Sequence, residues 1–417
     1  MMIKKMKKKF LTLLFVFSFV LVILSSNTNN VLAMEVVANN IYQEAALNFF
    51  KAQYEERNIS YDNVEVALEN NLYSDSEEVV AKAVVIRRDD ELDYVILNIA
   101  TANIDEFAFN ETQAYEKFSQ KVYYSGVLNY YVKKNNQFHH FDNKKIISEK
   151  QFEKNSENIE KKFKLRKENA ISFTNDNNPV LVNTKTGWNG FYNWTRISTA
   201  NTNNSYSNTD WDYITGITPS GVLSGLTFMS QDDFNDHFET NNACGPTALT
   251  NMFIWFDYMN IENENNEVNA LLNDNEFDTF DRFRTLVKHS NKDGTSRSKY
   301  NSALKNYAKD QGYDYEIDTG VNSFEEFKTN IENNMPILTS IDLDGWGGHA
   351  ILVVGYEEFS QAYQVEHKVL WHSWTTTEYN YARYLRVIDG WDTSNDSRFI
   401  DFSGYWDTIE GRGFMIK

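Results

Sequence analysis

Asn241-Asn242-Ala243-Cys244-Gly245-Pro246-Thr247-Ala248 heads a strongly helical stretch of this 417-residue chain, and Cys244 is the chain's one cysteine. Pro246 suits the first turn of a helix, where a missing N–H leaves no bond unmade. Leu249, Met252, Phe253, Phe256 and Met259 then recur at the spacing of one apolar helical face. No charged residue occurs between Cys244 and Phe256, so this helix is predicted to be largely buried. A thiol at such an N-terminus feels the positive end of the helix dipole, which lowers its pKa toward the thiolate. With no second cysteine an intrachain disulfide is excluded, and a zinc–thiolate site would need more ligands. Two readings of Cys244 remain: a reactive thiol, or a small hydrophobe at the head of a core helix.

A reactive thiol needs a base, an orienting group and an oxyanion donor, and the chain offers one of each in suitable surroundings. His349 follows Gly345-Trp346-Gly347-Gly348 and leads into Ala350-Ile351-Leu352-Val353-Val354, which sets an imidazole at the mouth of a buried strand. His372, between Trp371 and Ser373, is the competing histidine. Asp389 ends the apolar run Tyr384-Leu385-Arg386-Val387-Ile388, where a carboxylate can accept the Nδ1 proton of a neighbouring histidine; Asp392, Asn395 and Asp401 are alternatives. Asp at a strand end also serves turns, so that reading stays open. Gln231, just upstream of Cys244, is the candidate side-chain amide for an oxyanion, beside the backbone N–H of the helix N-terminus.

Taken in order, Gln231, Ala243-Cys244-Gly245-Pro246-Thr247-Ala248, Gly347-Gly348-His349-Ala350 and Ile388-Asp389-Gly390-Trp391 resemble the papain-like cysteine peptidases of bacteria. The pattern is most similar to their C39-like branch, with a broader likeness to streptopain. The resemblance implies an α+β catalytic domain in which a buried helix carrying the nucleophile packs on an antiparallel sheet. It implies Cys244 as nucleophile, His349 as general base and acid, Asp389 as orienter and Gln231 as oxyanion donor, with protein or peptide as substrate. Papain itself has Cys-Gly-Ser-Cys-Trp at the nucleophile and Asn as third member, where this chain has Cys-Gly-Pro-Thr and Asp. Two other readings keep part of the pattern: a transglutaminase- or amidase-type acyltransferase on the same triad, and a non-catalytic binding protein on a degenerate peptidase fold.

The flanking sequence gives this candidate site an address. Lys4, Lys5, Lys7, Lys8 and Lys9 precede the apolar run Phe10 to Leu24, and Val31-Leu32-Ala33 supplies small residues for cleavage, so residues 1–33 read as a secretory signal. The mature protein is therefore expected outside the cell, with no stable membrane insertion, in a Gram-positive type of bacterium. Residues 34–175 read as a separate small α+β module: a helix over Ile41 to Arg57, a hairpin from Val79 to Arg87 and Tyr94 to Ala100, a helix over Thr112 to Tyr123 and a strand over Gly126 to Val132. Phrases such as Tyr94-Val95-Ile96-Leu97-Asn98 resemble the propeptides of streptopain-like enzymes, which implies an inhibitory pro-domain. Asn175 to Pro179 reads as an exposed linker, and activation is expected by a cut between about Lys164 and Asn183.

Residues 176–417 then form the peptidase domain, with helices between Pro246 and Tyr313 followed by strands at Ala350 to Val354, Val369 to Trp374, Tyr384 to Ile388 and Gly413 to Ile416. The net charge of −19 argues against nucleic acid as a partner. Residues 144–167 carry nine basic and four acidic residues, whereas 180–417 carry 17 and 34; the first segment therefore reads either as docking on the second through charge or as a solvated charged helix. No phosphate-binding loop, dinucleotide glycine pattern or HExxH occurs, and His139-His140 would face opposite ways on a strand, so no cofactor or metal is expected.

Overall fold

The strands that sequence alternation and β-branched residues predict join into one large, mostly antiparallel sheet. The computed structural model describes residues 42–416 apart from 44–45, 48, 52, 100–103, 142–145, 154–184, 187–191, 198–206, 219–220, 224–225, 241, 263–270, 343–347, 370–371, 392–397 and 403–410. The secretory signal, the linker at 175–179, the activation cut at 164–183, most of the basic run, and Asp392 and Asn395 lie outside the described residues.

In the N-terminal part, Val79–Arg88 and Glu91–Asn98 pair in unbroken register from Ala81↔Asn98 to Arg88↔Glu91, the hairpin the β-branched runs predict. Val64–Tyr73 flanks the first of these strands and Ile104–Ala108 the second. The predicted helix over Thr112 to Tyr123 is only Ala114–Phe118 long, and Val122–Tyr124 is a strand parallel to Val64–Tyr73. The expected strand over Gly126 to Val132 also begins late, at Tyr130. Gly126 (φ 106°) and Leu128 (φ 61°) take left-handed backbone conformations, so the apolar run Val127-Leu128 turns instead of extending. Hairpins through Gln137–His140 and Ile146–Ser148 complete this edge.

The C-terminal part is organised around a long hairpin, Gly348–Val369 with His372–Ile388. Val369 pairs directly with His372, so the apolar stretch Val369 to Trp374, predicted as one strand, straddles the hairpin tip. Without Gly or Pro to mark the turn, periodicity alone does not locate it. Ile337–Asp342 lies along the start of the first hairpin strand, and Gly411–Ile416 and Tyr315–Val321 continue outward from it. Helices Cys244–Glu262, Glu276–Val287, Tyr300–Asp310 and Phe324–Glu332 accompany these strands. The first starts at Cys244, and Leu249, Met252 and Phe253 are fully buried in a cluster that includes Ile337, Leu338, Ile351, Val353 and Phe414.

The two parts share the sheet. Arg398–Asp401 pairs on one side with His372–Ile388 and on the other with Ile104–Ala108 of the N-terminal part. Phe107 and Phe399 stack across this junction with centroids 4.4 Å apart and planes 2° from parallel. The Tyr384 hydroxyl donates to the Ile104 carbonyl at 3.1 Å, and Arg57 forms a buried ion pair with Glu357.

Candidate active site

Strand register brings His349 to the end of Asp389. Leu352 pairs with Ile388, and continuing that antiparallel register sets His349 opposite Trp391. The two rings stack, 4.0 Å between centroids and 27° between planes. His349 Nε2 lies 2.9 Å from the main-chain carbonyl oxygen of Asp389. A carbonyl only accepts, so Nε2 carries the proton and Nδ1 of the neutral ring is the basic nitrogen. The sequence reading had Nδ1 donating to the Asp389 carboxylate. In the structure the carboxylate has these partners: Oδ1 accepts the Trp391 N–H at 2.9 Å, and Oδ2 lies 2.7 Å from Nη1 of Arg398. Arg398 stands opposite Val387 on the neighbouring strand, two residues before Asp389, which places its guanidinium on that carboxylate.

Gln231 reaches the same turn from a different element. Ser230 caps the helix Gln231–Phe238 in a reciprocal box, its hydroxyl accepting from the Asp233 N–H while the Asp233 carboxylate accepts from the Ser230 N–H. That fixes Gln231 as the first helical residue. Its N–H donates to the carbonyl of Gly390 at 2.6 Å. One residue upstream of the cap, both main-chain groups of Met229 are bonded by the side-chain amide of Asn251, each at 2.9 Å. Asn251 lies within the Cys244 helix, so the segment bearing Gln231 is tied both to that helix and to the Asp389 turn. Gln231, His349, Asp389 and Trp391 are all buried.

Gly390 closes the arrangement. Its φ of 71° is in the left-handed region, and a Cβ there would come within 3.1 Å of Thr247 Cγ2, in the first turn of the Cys244 helix. Gly245 is similarly confined: a Cβ would meet the Tyr300 hydroxyl at 2.9 Å and Thr295 at 3.0 Å. Burial, with a smaller contribution from Cys244, pushes the Tyr300 phenol well above its ordinary pKa and keeps it protonated. Cys244 itself is partly exposed at the start of its helix. The turn Asp389-Gly390-Trp391 thus touches His349, the Gln231 main chain and the first turn of the Cys244 helix together.

Several residues here escaped the sequence reading. Asn251 had a signal, as an amide within an otherwise apolar, uncharged helix. Arg398 had none, since nothing local distinguishes a buried arginine whose partners are distant in sequence. The N-terminal part also reaches this place. His140, inward-facing where its neighbour His139 is half-buried, donates from Nε2 to the Leu128 carbonyl at 3.0 Å and packs edge-on against Trp391 at 4.7 Å. Val127 and Leu128 are buried in the same cluster as Ala248, Leu249 and Trp391, with Cys244 packed against it.

Residues 225–391 match the model of the Peptidase_C39 like family, a stretch that contains Gln231, Cys244, His349 and Asp389. The C39-like resemblance read from the sequence is thereby borne out over those residues. No curated protein matches the chain. Among the described residues, no helix is long and apolar enough to cross a membrane.

Proposed function

We propose, with the Peptidase_C39 like match over residues 225–391 as premise, that this protein is a secreted cysteine endopeptidase made as a zymogen. The observation that carries the reading is the turn Asp389-Gly390-Trp391, which gathers His349, Gln231 and the first turn of the Cys244 helix around one point. With Nε2–H held by the Asp389 carbonyl, Nδ1 of His349 takes the proton of the Cys244 thiol. The thiolate attacks the peptide carbonyl carbon, and the oxyanion is received by main-chain N–H at the head of the Cys244 helix together with the Gln231 amide. Collapse breaks the C–N bond, and His349 gives its proton to the departing amine. Water, deprotonated by His349, then attacks the thioester, and cleavage of the C–S bond returns the thiol. Trp391, stacked on the imidazole, shields the hydrogen bond that fixes the tautomer.

The pro-domain reading is supported by the N-terminal part continuing the sheet and by the contacts from Leu128 through His140 to Trp391, the ring that covers His349. Removal of residues 34–175 is then the activating step. The test is intact-mass labelling of Cys244 with iodoacetamide across the acid to mildly alkaline range, with His349→Ala alongside, and release of new peptide termini from a denatured protein substrate. Labelling well below the ordinary thiol pKa of about 8.5, slowed at least tenfold by His349→Ala, is expected. Cys244→Ala is expected to abolish peptide release. Ordinary thiol titration that ignores His349 would leave a binding protein, and amine-coupled product without new termini would make the enzyme an acyltransferase.

A further inference from the structure

Arg398 belongs to both halves of the molecule. Its Nη1 lies 2.7 Å from Asp389 Oδ2, and its Nη2 lies 3.1 Å from Oε2 of Glu111, which stands just beyond the N-terminal strand that pairs with Arg398–Asp401. The Arg398 and Glu111 side chains are 1% exposed and that of Asp389 is 7% exposed. Two carboxylates around one guanidinium leave one net negative charge in a dry place. A buried charge that loses its partner is strongly destabilising, so neither carboxylate can leave the fork without penalty. The guanidinium donates a hydrogen bond to Glu111 and is ion-paired with Asp389. Asp389 in turn holds His349 through its carbonyl and Trp391 through its other carboxylate oxygen.

We propose that Arg398 is a positioning residue for His349, and that Glu111 of the N-terminal part sets how much of its positive charge is left to Asp389. The proposal rests on the peptidase reading of the site. With Glu111 in place, the guanidinium is divided between two carboxylates. Without it, Arg398 and Asp389 form a neutral pair, and the surroundings of Cys244 and His349 become more positive by one charge. An added positive charge favours the thiolate and disfavours the imidazolium, so both titrations move to lower pH. The N-terminal part thereby acts on the site through charge as well as through cover. Other charged or titratable groups around this place are Glu106, which holds the Tyr94 hydroxyl and the Leu128 N–H, Tyr94 and Tyr130 with buried Lys117 over their rings, and His140 against Trp391. Arg57 and Arg386 lie against the Phe399 ring next to Arg398, and Tyr300 and Arg412 stand on the Cys244 side.

The experiment is iodoacetamide alkylation of Cys244 in the intact chain from about pH 4 to about pH 9, read as the midpoint of the thiolate profile and as its plateau rate. Cys244 is partly exposed, so a small reagent reaches it without removal of the N-terminal part. Glu111→Gln keeps shape and removes the charge; its midpoint is expected to fall by about half a unit or more. Glu111→Asp, which keeps the charge, is expected to stay near wild type. Phe107→Leu loosens the same junction without changing charge, and is expected to alter the plateau rate but not the midpoint. Arg398→Lys keeps the charge without the fork and is expected to lower the plateau rate several-fold at an unchanged midpoint. Equal midpoints for Glu111→Gln and wild type, or equal shifts for Glu111→Gln and Phe107→Leu, would overturn the proposal. A wild-type profile that titrates low and depends on His349 while Glu111→Gln changes nothing rejects only this inference. A wild-type profile near the ordinary thiol value, indifferent to His349, rejects the peptidase reading and the inference with it.

Discussion

Gly390 holds the candidate site together with no side chain at all. Its carbonyl accepts from Gln231, its φ of 71° turns the chain from Asp389 to Trp391, and its missing Cβ leaves room for Thr247. Alanine there meets two penalties, the left-handed backbone and a contact of 3.1 Å with a buried threonine. Gly312, also left-handed (φ 80°), has nothing within 4 Å of where a Cβ would stand, so alanine there meets only the first. Gly312→Ala is expected to lose about 1 kcal/mol and Gly390→Ala about 2–3 kcal/mol in urea unfolding. Only Gly390→Ala should also slow His349-dependent labelling of Cys244. Equal unfolding midpoints and equal labelling would show that the turn is not under this constraint. Cys244 and His349 were legible as residues because their chemistry is rare and their neighbours unambiguous, one at a helix start and one at a strand start. Arg398 was illegible because its meaning is the pair of carboxylates it meets, Asp389 on an adjacent strand and Glu111 in the other half of the chain. The aspartate was legible as a residue, but the main-chain carbonyl it turns toward His349 Nε2 carries no sequence signal.

Among elements, those with a strong period and a chemical start signal were read best. The Cys244 helix begins where proline and the apolar face place it, and the hairpin at Val79–Arg88 and Glu91–Asn98 turns at its charged tip. The expected helix over Thr112 to Tyr123 was overridden because Val122–Tyr124 finds a strand partner in Leu72 and Tyr73. Reciprocal capping boxes fix two further starts, at Ser230 and at Ser323. In the second box, N–H bonds from Asn322 and then Ser323 hold the Glu326 carboxyl below its usual range. A depressed folded-state pKa means stability that is present above the unfolded value and is lost as pH falls through the folded one. The start of the helix Phe324–Glu332 is therefore expected to fray in acid, below about pH 4.3. Amide exchange at residues 324–327 followed against pH should show this, and Glu326→Gln should remove the pH dependence. Because the group lies at the surface, the global unfolding midpoint should hardly respond. Fraying with the same pH profile in Glu326→Gln would assign the acid sensitivity to another group.

At the scale of the whole molecule, charge patterning favours docking of residues 144–167 on 180–417, but most of that basic run lies outside the described residues, and the described junction is built chiefly from backbone pairing and rings. Ile104–Ala108 extends the sheet of the C-terminal part, and Phe107 packs among Phe49, Phe109, Tyr384 and Phe399. Strand-to-strand partners so far apart in sequence leave no local mark, since any β-branched or aromatic edge offers the same unpaired groups. A stacked, fully buried phenylalanine replaced by alanine forfeits about 3–5 kcal/mol, so Phe107→Ala should weaken the junction while leaving Gln231, Cys244, His349 and Asp389 themselves unaltered. If the N-terminal part covers the site through Leu128, His140 and Trp391, loosening it must do two things at once. The unfolding midpoint in urea should fall, and Cys244 in the intact chain should alkylate several-fold faster while His349→Ala still slows it. The conservative Phe107→Leu should fall between wild type and alanine on both scales. Lost stability with an unchanged alkylation rate would mean that the sheet junction supports the fold alone and that the N-terminal part does not guard the thiol.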